Sequence, residues 1–109
     1  MTDGSGIDLL LIDDERVVER SIGDYLRKRG FGVTYCDSAR AALERFQGGF
    51  FPVVISDISM PGMDGIELLK LVKEIAPETA VIMITGHGTM AHAVAALKAG
   101  AADFLEKPV

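Results

Sequence analysis

Five short apolar runs separated by segments of helical period constrain this chain more than any other feature. The runs are Ile7–Ile12, Gly32–Tyr35, Pro52–Ser56, Ala80–Ile84 and Ala102–Leu105. Their Leu/Val/Ile stretches read as continuous rather than alternating, which is the pattern of strands buried on both faces. Between them the apolar residues recur at three and four. The first helical segment carries Val18, Ile22, Tyr25 and Leu26 on one stripe and ends at Gly30. The second starts at a capping Ser38, with Ala39, Ala42, Leu43 and Phe46 inward, and stops at Gly48-Gly49. The third carries Ile66, Leu69, Val72 and Ala76 before Pro77, and the fourth Met90, Val94 and Leu97 before Gly100. Strand and helix in regular alternation make consecutive βα units and an α/β fold with a parallel sheet. The less apolar second strand is expected at an edge.

Composition sets the limits of that fold. A chain of 109 residues, 49% hydrophobic and 25% charged, has the makings of one globular domain. A chain of this size buries enough surface to fold without a staple, and its one cysteine, Cys36, closes no bridge. A net charge of −5 argues against direct binding to nucleic acid, whose phosphates are held by clustered Lys and Arg. The apolar runs are far shorter than the roughly 18 residues that a membrane span needs. With no secretory n-region and h-region, a cytoplasmic location is expected. Residues 1–6 read as a flexible lead-in.

In an open parallel sheet, ligands sit beyond the carboxyl ends of the strands, where strand order reverses. Strand one ends in Asp13-Asp14, strand three in Asp57, strand four in Thr85 and strand five, one residue on, in Lys107. Two carboxylates about 4 Å apart repel by roughly 4 kcal/mol at an effective dielectric near 20, so three in one crevice call for a cation. Lys107 supplies one charge and a divalent metal the rest. All-oxygen ligation by a few carboxylates suits magnesium better than zinc. A carboxylate beside magnesium is also a nucleophile toward phosphorus, and Asp57, on the central strand, is the best placed. Thr85 would donate to a phosphoryl oxygen and Lys107 neutralise another. Plain structural roles stay open to each: a helix cap for Asp14, a strand end for Thr85, a solvated surface lysine, an Asx turn for Asp57.

The wording of these segments resembles a family, the receiver domain of two-component response regulators. The resemblance spans Ile7 to Pro108. It rests on Leu11-Ile12-Asp13-Asp14-Glu15, on Asp57-Ile58-Ser59-Met60-Pro61-Gly62-Met63-Asp64-Gly65, on Thr85-Gly86-His87-Gly88 and on Lys107-Pro108. Thr85–Pro108 is similar to receivers of the nitrogen-regulation, enhancer-binding transcription-factor class. The resemblance implies a doubly wound five-stranded parallel sheet in the flavodoxin-like order 2-1-3-4-5. It makes Asp57 the phosphoacceptor, served by the phosphohistidine of a sensor histidine kinase or histidine phosphotransfer protein. By the same resemblance Asp14, Asp57 and the Ser59 carbonyl bind Mg²⁺ directly and Asp13 through water, while Thr85 and Lys107 read the phosphoryl group. Phe104 stands at the aromatic switch position, with an ordinary core aromatic as the other reading. Pro108 would follow a cis bond that aims Lys107 inward, and His87 tunes water access or is a solvated loop residue.

The module implied is a signalling switch rather than an enzyme. Family members continue into a fifth helix after the Lys-Pro corner, and residues 7–109 end before it, with no output domain. Apolar surface near strand five is then expected to be uncovered, favouring either self-association, as in a homodimer, or lower stability. An aspartyl-phosphate phosphatase of the haloacid-dehalogenase kind would need two aspartates one residue apart after strand one, whereas Asp13 and Asp14 are adjacent. A flavodoxin-like cofactor carrier would need a hydroxyl- and glycine-rich phosphate loop where Asp13-Asp14-Glu15 stands. A receiver-like fold kept only for protein contacts normally shows losses in the acidic pocket, and none is lost.

Overall fold

The apolar runs form a five-stranded, all-parallel sheet: β1 Asp8–Ile12, β2 Gly32–Cys36, β3 Val53–Asp57, β4 Ala80–Thr85 and β5 Asp103–Glu106. The structure, a computed structural model, describes residues 6–59, 62, 65–86 and 90–106. Strand order is β2-β1-β3-β4-β5, the doubly wound order expected, with β2 at one edge. Successive side chains point opposite ways, so β1, β3 and β4 bury both faces, whereas β2 is half-buried and β5 largely exposed. Leu10, Ile12, Val54, Val81 and Met83 enter one core layer, and Leu9, Leu11, Ile55 and Ile84 the other.

Three helices cover the first layer. They are α2 (Ala39–Gly48), α3 (Gly65–Ile75) and α4 (Met90–Lys98), which bury Phe46, Leu68, Leu69, Val72 and Ala96 against it. Ser38 caps α2 as expected, its Oγ accepting from the Ala41 N–H at 3.2 Å. The second layer is covered by α1, spanning 16–28 as Arg16–Val18, a π-helical turn Glu19–Gly23 and Asp24–Lys28. Ser21 donates its hydroxyl to the Val17 carbonyl at 3.0 Å within that turn. Gly30 and Gly100, the expected helix stops, take left-handed φ of 94° and 113°, which a side chain would resist.

Two expected stripes differ from the structure. In α4 the buried residues are Ala93 and Ala96, while Val94 and Leu97 are 44% and 40% exposed; the side chain of Met90 lies outside the described residues. Hydropathy favours the largest apolar groups, but small side chains let a helix backbone approach the sheet closely. In α1, Tyr25 is 59% exposed rather than inward. Strand ends also run further than the apolar runs. Ladder pairing continues through Cys36, Asp57, Thr85 and Glu106 because it depends on backbone groups, not on hydropathy.

On the face that α1 covers, an apolar groove of about 550 Å³ lies over β3, β4 and β5. Ile22, Tyr25 and Leu26 line one side of it, and Ile55, Ile82 and Leu105 the floor. Among the described residues no helix is long and apolar enough to cross a membrane.

Cys36 closes β2 and is buried; burial pushes its thiol above the ordinary range, with Arg45 opposing weakly. We expect a disulfide reagent to modify it at least about 100-fold more slowly in buffer than in urea, since reaction requires opening of the β2 end. Immediate stoichiometric labelling of the folded chain would contradict this packing.

Candidate functional site

The parallel register places the chemistry. Ile12 of β1 pairs with Ser56 of β3, so Asp13 and Asp57 leave neighbouring strands side by side. Asp57 pairs in turn with Ile84, and the Ile58 N–H donates to the Ile84 carbonyl at 3.0 Å, setting Thr85 beside the end of β3. Asp13, Asp57 and Thr85 are all buried, whereas Asp14 and Glu15 are exposed. One carboxylate oxygen from each of Asp13, Asp14, Glu15 and Asp57 lies within 4.8 Å of the others.

The turn after β1 is held by hydrogen bonds. The Asp13 N–H donates to the Cys36 carbonyl at 3.2 Å, and Asp13 Oδ1 accepts from the Glu15 N–H at 2.8 Å. Asp57 Oδ1 accepts a longer bond, 3.4 Å, from the Ser59 N–H. The Tyr35 hydroxyl reaches across from β2 and donates to the Asp13 carbonyl at 2.6 Å, with the Arg16 guanidinium 5.8 Å from the centre of its ring. Burial raises the Tyr35 hydroxyl above its ordinary value near 10, with Arg16 opposing, so it is a donor at neutral pH.

Four expected site residues, Asp13, Asp14, Asp57 and Thr85, therefore converge at the carboxyl edge of the central strands. Ser59 follows at once, its N–H turned to Asp57. Phe104 lies on β5 beside Met83 and packs partly buried against the core layer that contains it, where an ordinary core aromatic would also sit. Lys107 and Pro108, His87 and most of the 60–64 turn lie outside the described residues. Glu15 was read only as part of a motif, yet its carboxylate belongs to the cluster. Tyr35 carried no signal at all, since its acceptor is 22 residues away in sequence.

The donor set fits a hard divalent cation. It is all carboxylate oxygen, half buried and half open, which leaves positions for water and phosphate as magnesium requires.

The start of α3 packs directly on the backbone of this site. A Cβ on Gly65 would collide with the Asp57 carbonyl oxygen and come within 2.8 Å of Ile58 Cα and 2.9 Å of Met83 Cε. The Gly65 N–H meanwhile donates to the Ile58 carbonyl at 2.8 Å.

Comparison with known proteins agrees with this geometry. A family model described as the response regulator receiver domain matches residues 9–109. The transcriptional regulatory protein FixJ of Bradyrhizobium diazoefficiens is 46% identical over 92% of this chain, which covers 49% of that protein. The C4-dicarboxylate transport regulator DctD of Rhizobium meliloti is 41% identical over 92% of the chain, or 22% of its own length. The chain thus spans half or less of these curated relatives. Among solved structures, a receiver domain protein from Clostridium thermocellum superposes with a TM-score of 0.89 at 37% identity, covering 94% of this chain and 83% of that one. The beryllofluoride-activated NtrC4 receiver domain dimer superposes with a TM-score of 0.87 at 38% identity, covering 94% and 84%.

Gly65→Ala is expected to destabilise the chain by about 1–3 kcal/mol, because the added methyl meets backbone that cannot yield cheaply. Urea unfolding should show a lower midpoint at an unchanged slope. A midpoint equal to that of the parent would contradict the close contact.

Proposed function

Because the chain belongs to the response regulator receiver domain family, we propose that residues 7–109 are the phosphoacceptor switch of a phosphorelay, with Asp57 as acceptor. The family is a signalling module rather than an enzyme. The observation that carries the reading is the cluster of Asp13, Asp14, Glu15 and Asp57 carboxylates within 4.8 Å at the carboxyl edge of the sheet.

In this reading an Asp57 carboxylate oxygen attacks the phosphorus of a phosphohistidine on a sensor kinase or phosphotransfer protein. The O–P bond forms as the N–P bond breaks, and the imidazole leaves with the bonding pair and takes a proton from water. Asp14, Asp57 and the Ser59 carbonyl would hold Mg²⁺ directly, with Asp13 acting through water. When bound, the ion offsets the carboxylates and the charge of the incoming phosphoryl oxygens. Thr85 would donate its hydroxyl to a phosphoryl oxygen, and Lys107 would pair with another. The acyl phosphate carries about −1.5 to −2 charges, and its pull on Thr85 biases an existing two-state equilibrium. Phe104, on the neighbouring strand, would turn as Thr85 moves.

The surface so altered is that of α4 and β5. The exposed Val94 and Leu97 of α4 support a second copy of the chain as partner in the phosphorylated state. Relatives such as FixJ and DctD are transcriptional regulators, so control of transcription through a separate output, in the cytoplasm, is the proposed end of the pathway.

Incubation with acetyl phosphate should add one phosphoryl mass to the chain with Mg²⁺ and none without, and Asp57→Asn should abolish the adduct. Asp14→Asn should need at least about tenfold more Mg²⁺ for the same yield. Thr85→Ala should retain the adduct while losing the amide NMR shifts that phosphorylation induces in β4 and β5. An adduct on Asp57→Asn would overturn the assignment of the acceptor, and an undiminished response in Thr85→Ala the switch.

A further inference from the structure

Tyr35 takes no part in the proposed chemistry, yet it makes a short contact to the acidic turn. Its hydroxyl donates to the Asp13 carbonyl at 2.6 Å, near the short end for such a bond. That carbonyl belongs to the peptide joining Asp13 to Asp14. Because a peptide unit is planar, fixing its oxygen fixes the orientation of the plane and the direction in which Asp14 leaves it. Asp13 is already held at its N–H by the Cys36 carbonyl and at its carboxylate by the Glu15 N–H. Asp14 is exposed and gains no such constraint from packing. The Arg16 guanidinium lies 5.8 Å from the centre of the Tyr35 ring, a cation–π contact that favours the ring's place beside the turn.

We propose that Tyr35 is a positioning residue for the cation site: by holding the Asp13–Asp14 peptide plane, its hydroxyl sets the Asp14 carboxylate for Mg²⁺. The proposal rests on the reading of the carboxylate cluster as a Mg²⁺ site. Phenylalanine at this position keeps the ring, its packing and the Arg16 contact, and removes only the donor. The Asp13–Asp14 plane then loses its anchor, and Mg²⁺ affinity should fall about tenfold, the scale at which groups behind metal ligands act.

The test is calorimetric titration of the 109-residue chain with MgCl₂ in the absence of any phosphodonor, for the parent, Asp14→Asn, Tyr35→Phe and Arg16→Gln. Tyr35→Phe should bind about tenfold more weakly, Arg16→Gln should fall between it and the parent, and Asp14→Asn should bind weakest. A merely structural tyrosine would lower the unfolding midpoint in EDTA and leave Mg²⁺ affinity as it was. With no tryptophan and two tyrosines in the chain, Tyr25→Phe leaves Tyr35 as the sole ultraviolet fluorophore. Its emission should change with Mg²⁺ at the calorimetric midpoint, a readout that stands even if Tyr35→Phe fails to fold. Equal affinity for Tyr35→Phe and the parent, with Asp14→Asn impaired, would overturn the positioning role alone, as would a silent Tyr35 emission. A parent chain that binds no Mg²⁺ would overturn the site reading and this proposal with it.

Discussion

Mutual repulsion of carboxylates is the constraint on which the structure turns. Asp13 and Asp57 are both buried, and their carboxylate oxygens lie within 4.8 Å, a separation at which two charges repel by about 3.5 kcal/mol at an effective dielectric near 20. No fold places two more carboxylates beside such a pair by default. The surrounding architecture holds it against that cost. The β1–β3 ladder fixes the two strand ends, backbone N–H groups accept the task of binding Asp13 and Asp57, and α3 is seated on Asp57 through a glycine. In the proposed function, a bound divalent cation would offset this repulsion.

The same sheet offers the proposed switch a route from its edge to a distant face. Thr85 and Phe104 lie on adjacent paired strands, Phe104 packs against the layer that α4 covers, and Leu105 points to the opposite face, into the groove beside α1. A movement of Thr85 toward its neighbour on β3 therefore needs only one strand to be felt at the surface. Two faces of unequal cover accompany this. Among the described residues, three helices close one layer, while the layer under α1 keeps a groove over β3–β5.

How much of this was readable from the sequence depended on what each feature rests upon. Strand count, parallel sense and the acidic edge were legible because buried strands and strand-end carboxylates are written in contiguous residues. The strand order, matched by the structure, came with the family resemblance. Asp57 and Thr85 were placed just past their strands, since hydropathy stops where the ladder does not. The α4 stripe was misread because Ala93 and Ala96 are less hydrophobic than Val94 and Leu97, yet fit closer to the sheet. Tyr35 was invisible for a different reason. Its partner is defined by the β1–β2 register, which brings residues 22 positions apart into contact.

A crystal of the chain grown with Mn²⁺ in place of Mg²⁺, and read by anomalous scattering, would locate the cation at the sheet edge or elsewhere. One peak is expected, bonded to Asp57 and to the Asp13–Asp14 turn, and lost in Asp57→Asn crystals. A peak held elsewhere, or none at this edge in crystals that contain the ion, would contradict the reading of the carboxylate cluster as a cation-dependent phosphoacceptor site.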